Sequence, residues 1–262
     1  MGLVQTTLNN IRKNPKTILK ITELYNQENG RRKVAELLKV NYGTVGHILK
    51  ELGLQSDKIT RQRIISNRVR NRDPFDDVDF GDYLKGFILG DGSIGCDYGE
   101  ATHIVVSTSD LDLIEAIRNR WDSNLTLKGP TKDNYSLVCR DRNLVRRLMS
   151  WGFTPAKSKV GMHLECAITW PLIRGLFDSD GCITYSNNKT CLRFYLYGHP
   201  SYMSQICEFL KEYNPHIIYR DNLMGVAFYK QDVIKRISSL MYESATIKLN
   251  RKYERFQQHF KY

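Results

Sequence analysis

The stretch YLKGFILGDGSI, residues 83–94, runs from an apolar segment with spaced glycines directly into an acid and another glycine. The stretch LIRGLFDSDGCI, residues 172–183, repeats this pattern. When the two stretches are aligned, four positions are identical: Gly86 with Gly175, Asp91 with Asp180, Gly92 with Gly181 and Ile94 with Ile183. The aspartates are 180 − 91 = 89 residues apart. The sequence therefore predicts an internal repeat that brings one carboxylate with each copy.

Length and composition are those of a globular protein that buries a core. The chain has 262 residues, of which 41% are hydrophobic, and no run approaches the roughly 18 apolar residues of a membrane span. The first 16 residues lack the apolar stretch of a signal peptide. The six cysteines include no C-x-x-C pair, which favours reduced thiols over a zinc site or a disulfide framework. We therefore expect a cytoplasmic protein without a membrane partner.

The charge is strongly positive and unevenly distributed. The formal net charge is +11, which suits either a soluble basic protein or one that binds a polyanion. Residues 55–72 hold six basic residues and one acid, whereas residues 73–82 hold five acids and no base. Such blocks predict a basic-then-acidic linker over residues 55–78. Within it, the candidates for phosphate contacts are Arg61, Arg63, Arg68 and Arg70. We do not expect the five acids to form a metal cluster; Asp82 is expected to cap the first motif helix.

The region before the linker, residues 1–54, predicts a small all-α domain. Ile18, Ile21, Leu24 and Tyr25 lie at helical spacing, and two shorter apolar faces follow: Val34, Leu37 and Leu38, then Val45, Ile48, Leu49 and Leu52. Two short helices joined at residues 39–41 are typical of a helix-turn-helix unit.

Residues 34–50 resemble the common helix-turn-helix pattern at Val34–Ala35, Val40–Asn41, Thr44–Val45 and Ile48–Lys50. Lys39 departs from it, because that turn position usually holds glycine, which tolerates a positive φ. If the second helix enters a major groove, the residues expected to reach DNA are Tyr42, Thr44, His47 and Lys50. The alternative is a purely structural three-helix domain.

Small residues spaced by four predict that the two motif helices pack against each other. Gly86 and Gly90 share one helix face, as do Gly175 and Ser179. Such faces let two helix backbones approach closely, which would bring Asp91 and Asp180 together at one end. Two adjacent carboxylates repel each other, and a divalent cation such as Mg²⁺, which prefers hard oxygen ligands, would resolve this. A metal pair held there suits phosphodiester hydrolysis. The alternative is that each Asp-Gly is merely a turn that ends a helix.

LKGFILGDG and IRGLFDSDG resemble the two signature motifs of a single-chain LAGLIDADG homing endonuclease, over about residues 79–262. The resemblance implies an α+β fold of two pseudo-symmetric αββαββα repeats, residues 79–164 and 165–262, that form a saddle over double-stranded DNA. It implies that Asp91 and Asp180 hold two or three Mg²⁺ ions between them, assisted by the carbonyls of Gly90 and Ser179. The family's earlier motif aspartate, mainly a helix-end cap, is Asp178 in the second copy but Leu89 in the first.

The ends of the two copies also resemble the family, in which a lysine lies near the metals. Lys157 and Lys252 are the candidates, and they would organise water or stabilise charge on the scissile phosphate. The alternative for each is a plain phosphate contact or a solvated side chain.

Residues 182–189 and 190–198 alternate as two paired strands. Leu192, Phe194 and Leu196 would face the core, and the opposite face carries Arg193, Tyr195 and Tyr197. A β-ribbon can contact base edges in a major groove, so we expect that face to bind DNA, together with Thr184 and Ser186 on the first strand. The alternative is an ordinary solvent-exposed face.

These patterns favour a monomeric, metal-dependent endonuclease that makes a double-strand break at a long asymmetric DNA site, with an added helix-turn-helix. Two alternatives remain. The first is a non-catalytic DNA-binding regulator that joins the same two domain types, which loss of an acid would mark. The second is an intron RNA maturase with the same fold.

Overall fold

The computed structural model describes residues 11, 13–26, 31–54, 73–186 and 190–261. The chain divides into two compact units, Met1–Arg68 and Val69–Tyr262. The linker candidates Arg61, Arg63, Arg68 and Arg70 lie outside the described residues. None of the described helices is both long and apolar enough to cross a bilayer.

Three helices form the described part of the first unit: α1 (Pro15–Asn26), α2 (Arg31–Leu38) and α3 (Tyr42–Glu51). The buried apolar core of this unit consists, among the described residues, of Ile11, which precedes α1, and of Ile21, Tyr25, Val34, Ala35, Val45, Ile48 and Leu49 on the helices. Leu37 and Leu52, which the periodicity places on apolar faces, are 50% and 43% exposed. Each lies in the last turn of its helix or just beyond it, where the face rotates away from this small core.

The turn between α2 and α3 is tight and locally satisfied. Lys39 adopts a φ of +53°, the left-handed conformation that glycine usually supplies. Asn41 then caps α3, because its side-chain oxygen accepts a hydrogen bond from the backbone N–H of Gly43 at 2.8 Å.

The second unit consists of two αββαββα repeats, as the motifs predict. The elements of the first repeat are α4 (Val78–Asp91), β1 (Gly92–Asp97), β2 (Glu100–Thr108), α5 (Leu111–Trp121), β3 (Thr126–Thr131), β4 (Asn134–Cys139) and α6 (Arg142–Ser150). A four-residue helix, α7 (Lys157–Val160), follows. The elements of the second repeat are α8 (Trp170–Asp180), β5 (Cys182–Tyr185), β6 (Leu192–Gly198), α9 (Pro200–Phe209), β7 (His216–Arg220), β8 (Leu223–Phe228) and α10 (Gln231–Tyr242), and α11 (Asn250–Phe260) comes after them.

Each repeat contains one four-stranded antiparallel sheet. The strand orders are β1-β2-β4-β3 and β5-β6-β8-β7, so the two sheets have the same topology. The predicted alternation of β6 is confirmed, since Leu192, Phe194 and Leu196 are buried in the core. One continuous core joins the helices of both repeats to the inner faces of both sheets.

The start of α4 differs from the prediction. Asp77 is the N-cap, and its carboxylate accepts a hydrogen bond from the N–H of Phe80 at 3.1 Å. Asp82 lies inside the helix, pairs with Lys85 at 2.5 Å, and accepts a hydrogen bond from the hydroxyl of Thr169 at 2.7 Å. Thr169 is the N-cap of α8, so Asp82 joins the two motif helices instead of capping its own.

The second unit also begins earlier than the predicted linker allows. Residues Pro74–Asp76 form a 3₁₀ turn, and Phe75 is buried edge-on against Trp151 with ring centroids 5.2 Å apart. The acids of this segment pair with basic residues of the same unit: Asp73 and Asp76 with Arg147, Asp77 with Arg120, and Asp79 with Arg174. The acidic block is therefore part of the folded unit.

Candidate active site

The two motif helices are in direct backbone contact through their glycines. A β-carbon at Gly86 would overlap the carbonyl oxygen of Leu172, and a β-carbon at Gly175 would overlap that of Tyr83. Because 172 − 83 and 175 − 86 both equal 89, the two contacts are equivalent across the repeat. The α4–α8 pair is therefore related by a pseudo-two-fold axis, and side chains are excluded where the helices cross.

One turn further on, equivalent residues meet across this axis. A β-carbon at Gly90 would overlap the side chain of Ser179 and would lie 3.0 Å from a carboxylate oxygen of Asp180. The Ser179 hydroxyl donates within its own helix, to the carbonyls of Gly175 at 3.1 Å and Leu176 at 3.0 Å. The helices therefore end side by side, with Asp91 and Asp180 as their last residues.

Both aspartates are solvent-exposed, yet neighbouring protein atoms displace much of the water around their carboxylates. This desolvation raises the pKa of both Asp91 and Asp180. The charge of Asp180 raises the pKa of Asp91 further, whereas Lys157 and Lys252 oppose the rise at both acids. The site thus holds two carboxylates that are close enough to repel each other.

The two lysines occupy equivalent places behind the aspartates. Lys157 donates to the carbonyls of Ile88 (2.5 Å), Leu89 and Gly90 (2.6 Å) at the end of α4. Lys252 donates to the carbonyls of Phe177 (2.6 Å), Asp178 (2.9 Å), Ser179 (3.4 Å) and Gly181 (2.6 Å) at the end of α8. Each ammonium group therefore satisfies carbonyls that a helix C-terminus leaves unpaired.

Burial lowers the pKa of each lysine to about 8, and the nearby aspartates partly oppose that change. Lys252 is the more enclosed of the two, with 5% exposure. The carbonyls of Gly90 and Ser179, predicted to assist a metal, accept hydrogen bonds from these lysines in this arrangement. The structure therefore brings all six predicted catalytic and metal-site residues to one end of the helix pair.

The donor set at this end suits a hard divalent cation. It consists of two mutually repelling carboxylates and helix-terminal carbonyls, all of them oxygen ligands. In the part of the chain that the structure describes, no cluster of three or more His, Cys, Asp and Glu residues offers a different metal site.

Asp178 does more than cap the end of a helix, which is the role that the family resemblance predicts for it. It is 2% exposed and accepts three hydrogen bonds, from the hydroxyls of Tyr83 (3.1 Å) and Tyr242 (2.7 Å) and from the N–H of Leu249 (2.7 Å). Leu249 is the N-cap residue of α11, the helix that carries Lys252. Sequence reasoning missed both tyrosines. Tyr242 is 64 positions and Tyr83 is 95 positions from Asp178, and no local pattern links residues so far apart in the chain.

The outer face of the second sheet carries the predicted Arg193, Tyr195 and Tyr197, all half-buried. The two tyrosine rings are stacked, with centroids 6.1 Å apart and planes 7° apart. Thr184 lies opposite Arg193 in the register, while Ser186 closes the hairpin by exchanging hydrogen bonds with Cys191. Three further residues reach this face from a part of the chain that sequence reasoning left unassigned: His216 and Arg220 on β7, and Tyr229 directly after β8.

In the first unit, three of the residues that the sequence predicts to reach DNA, Tyr42, His47 and Lys50, are exposed. Thr44 is not: it is 9% exposed and packs inside the unit, because it shares a face with the buried Ile48. Arg31, from α2, lies over the ring of Tyr42 at 5.2 Å.

Comparison with known proteins supports the same architecture. No protein-family model matches the chain. A probable intron-encoded endonuclease aI2 from Debaryomyces hansenii is 20% identical over 189 residues, which span 66% of this chain but only 29% of that protein. The chain therefore covers less than a third of that relative.

The fold is shared with solved structures, among them the following three. The LAGLIDADG homing endonuclease I-GzeII in complex with its DNA target aligns over 69% of this chain and 88% of that one, with a TM-score of 0.51 at 11% identity. The LAGLIDADG meganuclease I-AabMI bound to uncleaved DNA (72% and 90%; 12% identity) and the I-LtrWI LAGLIDADG homing endonuclease bound to target DNA (69% and 89%; 12% identity) each give a TM-score of 0.50. The second unit of this chain has the LAGLIDADG homing-endonuclease fold, with both motif-bearing repeats in one polypeptide.

Proposed function

We propose that this protein is a site-specific DNA endonuclease that makes a metal-dependent double-strand break at a long, asymmetric target. The carrying observation is the site itself, where two aspartates end two backbone-contacting helices and a lysine backs each one. The fold is shared with endonucleases solved on their DNA targets, and the curated relative is named an intron-encoded endonuclease. Because both repeats lie in one chain and differ in sequence, a monomer would bind a target whose two halves, the half-sites, also differ in sequence.

The aspartates and the lysines of the site have different roles. Asp91 and Asp180 would hold Mg²⁺ between them, and the bound metal would lower the pKa of water and stabilise the leaving oxygen. Lys157 and Lys252 fix the carbonyls at the ends of α4 and α8, and so hold each aspartate at the end of a rigid helix. Their ammonium groups also supply positive charge beside the site of the scissile phosphates.

Affinity for DNA would come from surfaces outside this centre. The net charge of +11 suits a phosphate backbone, and Arg193, Tyr195, Tyr197 and Thr184 line a sheet face that can contact base edges. The first unit would act as a helix-turn-helix that adds contacts through Tyr42, His47 and Lys50, since all three are exposed on α3 or at its start.

The test first selects the target and then measures its cleavage. Randomised duplex DNA is incubated with the full-length protein in Ca²⁺, and the bound duplexes are recovered and sequenced. The enriched site is then placed in a supercoiled plasmid and exposed to the protein in Mg²⁺. Linear product that appears with Mg²⁺ and disappears with EDTA supports the proposal.

Two matched variants separate chemistry from binding. Asp91→Asn and Asp180→Asn each preserve size and remove the charge that holds the cation, so we expect double-strand cutting to fall more than about 100-fold. Binding in Ca²⁺ should be largely kept, because phosphate and base contacts are spread over the surface. Linearisation by either variant at the wild-type rate would refute the assignment. Tight, specific binding without any cutting by the wild type would favour a DNA-binding regulator instead.

A further inference from the structure

An arginine of the second repeat and an aspartate of the first repeat form an ion pair beside the active site. Arg251 lies in the first turn of α11, directly before Lys252, and Asp110 lies between β2 and α5. The guanidinium donates from Nε to both carboxylate oxygens, at 3.0 Å and 3.3 Å, and from Nη2 to Oδ2 at 3.2 Å. Because two donors engage one carboxylate, Asp110 fixes the plane of the guanidinium as well as its position.

Asp110 is used for this arginine and not for its own helix. It occupies the N-cap position of α5, but its carboxylate makes no capping hydrogen bond to that helix, all of whose residues the structure describes. Aspartate normally caps a helix by accepting a hydrogen bond from a backbone N–H of the first turn, as Asp77 and Asp141 do for α4 and α6. The carboxylate of Asp110 instead accepts from Arg251 and from the hydroxyl of Thr108. A local preference that is set aside in this way is typical of a functional position.

The equivalent positions in the other half of the site hold different residues. The residue before Lys157 is Ala156, which carries no charge. The position equivalent to Asp110 is His199, because 199 − 110 equals the repeat offset of 89. His199 caps its own helix, since its Nδ1 accepts from the N–H of Ser201 at 3.3 Å. These two positions therefore form no such ion pair, and Arg251 makes the two halves unequal in charge.

Arg251 is accessible to a ligand and acts on the centre of the site. Its side chain is 59% exposed, whereas the neighbouring Lys252 is buried and donates to helix-terminal carbonyls. Burial raises the pKa of Asp91 and lowers that of Lys252, and the positive charge of Arg251 lowers both. The guanidinium geometry matches the oxygens of a phosphate. An exposed guanidinium that is held this close to Asp91 is therefore suited to a phosphate of bound DNA.

We propose that Arg251 contacts a phosphate at or next to the scissile bond of one DNA strand, and that Asp110 positions it before DNA binds. The inference rests on the endonuclease function proposed above. Because Asp110 already orders the guanidinium, little side-chain freedom is lost when the phosphate arrives. The added positive charge stabilises the negative charge that develops on that phosphate during cleavage. Arg251 is thus a further catalytic residue for one strand, and Asp110 is its positioning residue.

The test measures cleavage of each strand separately, on the target selected in Ca²⁺ and end-labelled on one strand or the other. Arg251→Gln should slow one strand about ten-fold or more, the loss expected for one charged hydrogen bond, while the other strand keeps its wild-type rate. Arg251→Lys retains the charge without the paired donors and should recover part of that rate. Asp110→Asn can still cap α5. It should slow the same strand to a smaller extent, and it should add nothing when combined with Arg251→Gln.

Arg120→Gln is the matched control. Arg120 also pairs with an aspartate, Asp77, but this pair lies at the opposite end of α4 from Asp91, so both strands should be cut at the wild-type rate. Each variant should unfold at about the wild-type denaturant concentration, because exposed ion pairs contribute little to stability.

Three results would overturn the inference. If Arg251→Gln slows both strands equally or slows neither, Arg251 is not a strand-specific catalytic residue, and the endonuclease function stands. If Asp110→Asn speeds cleavage, Asp110 competes with the phosphate for Arg251 and does not position it. If the wild-type protein cuts neither strand in Mg²⁺, the inference and the endonuclease function fall together.

Discussion

At the scale of single residues, Asp178 makes the two halves of the active site unequal. Its buried carboxylate holds the N-cap residue of α11, three positions before Lys252. The first copy has the apolar Leu89 at this position. There, Lys157 begins a four-residue helix directly after Ala156, which adopts a φ of +53°. Lys252 is therefore anchored by a network that Lys157 lacks.

Asp178→Leu, which copies the residue of the first repeat, should impair cleavage of one DNA strand more than the other. The hydroxyls of Tyr83 and Tyr242 and the N–H of Leu249 would lose their acceptor, at about 1–3 kcal/mol for each buried group left unpaired. The start of α11 would loosen, and Lys252 with it. End-labelled substrate should show nicked product accumulating, always with the same strand intact.

The reference variant for this experiment is Lys252→Met, which should slow cleavage of the same DNA strand. Loss of stability alone would lower cutting of both strands together. If Asp178→Leu slowed cleavage of both DNA strands equally, Asp178 would not position Lys252, and its role would be purely structural.

At the scale of elements, the contact of α4 with α8 depends on glycine. Replacing a helix-interior glycine by alanine normally stabilises a helix by up to about 1 kcal/mol. Here the added methyl group would meet backbone oxygens of the partner helix, at Leu172 for Gly86 and at Tyr83 for Gly175. Backbone atoms of two packed helices cannot move aside as a flexible side chain can, so the steric term outweighs the propensity gain.

Gly86→Ala and Gly175→Ala should each lower the free energy of unfolding of the second unit by about 3 kcal/mol or more, from overpacking. Gly43→Ala is the matched control in α3, where the nearest atom to the new methyl group is a side-chain oxygen of Asn41 at 3.1 Å. Denaturant unfolding followed by circular dichroism measures both changes. Wild-type stability of Gly86→Ala would show that the helices are not in backbone contact.

The ion pair between Asp79 and Arg174 joins α4 to α8 in a different way. The Arg174 side chain is 2% exposed and contacts Asp79 at 2.6 Å, and Thr246 also donates to Asp79. Burial opposes ionisation of Asp79, yet the hydrogen bonds from Thr246 and Arg174 hold its pKa below the ordinary value. A carboxylate with a lowered pKa stabilises the fold at neutral pH, and that contribution is lost as the pH falls and the group takes up a proton.

Asp79→Asn should therefore cost about 3 kcal/mol at pH 7, because it leaves a buried guanidinium without its partner. The difference from wild type should shrink below about pH 4, where the carboxyl of the unfolded chain begins to protonate, and should be lost only once the pH falls below the lowered pKa of the folded state. Asp77→Asn is the control, since Asp77 pairs with Arg120 at an exposed position and asparagine still caps the helix. A pH-independent cost of Asp79→Asn would exclude the electrostatic explanation.

How much of this arrangement the sequence predicts depends on how far apart along the chain the contacting residues are. The 89-residue repeat, the αββαββα order and the alternation of β6 follow from local spacing, and all are present in the structure. Asp82 was assigned wrongly because three nearby acids suit a helix start equally well, and only the tertiary partner Thr169 decides its role. The partners of Asp178 lie 64 to 95 residues away, beyond the reach of any periodicity.

At the scale of the whole molecule, the two units have separate hydrophobic cores. Each cluster of buried residues is confined to its own unit. The second unit also contains both aspartates and both lysines, and Phe75 shows that its packed region begins before the first motif helix. We therefore expect the second unit to fold and to carry the chemistry without residues 1–68.

A protein that begins at Val69 should still cut the selected site, slowly and at high protein concentration. Its footprint should be shorter on one side only. Its binding should depend less on salt, since each lost phosphate contact lowers the slope of log K against log salt by about 0.9. If the truncated protein is folded but matches full length in footprint and slope, the first unit does not bind this DNA.

The packing of Gly90 against Ser179 affects how the two repeats would pair if they were made as separate polypeptides. One copy provides a side chain and the other provides the space that it fills. Two copies of the second repeat would bring serine against serine at that point, and two copies of the first would leave a gap between glycines. If the two repeats were encoded separately, this contact would favour pairing of one repeat with the other over pairing of two identical repeats. The Gly90–Ser179 contact thus contributes to keeping the two repeats a mixed pair.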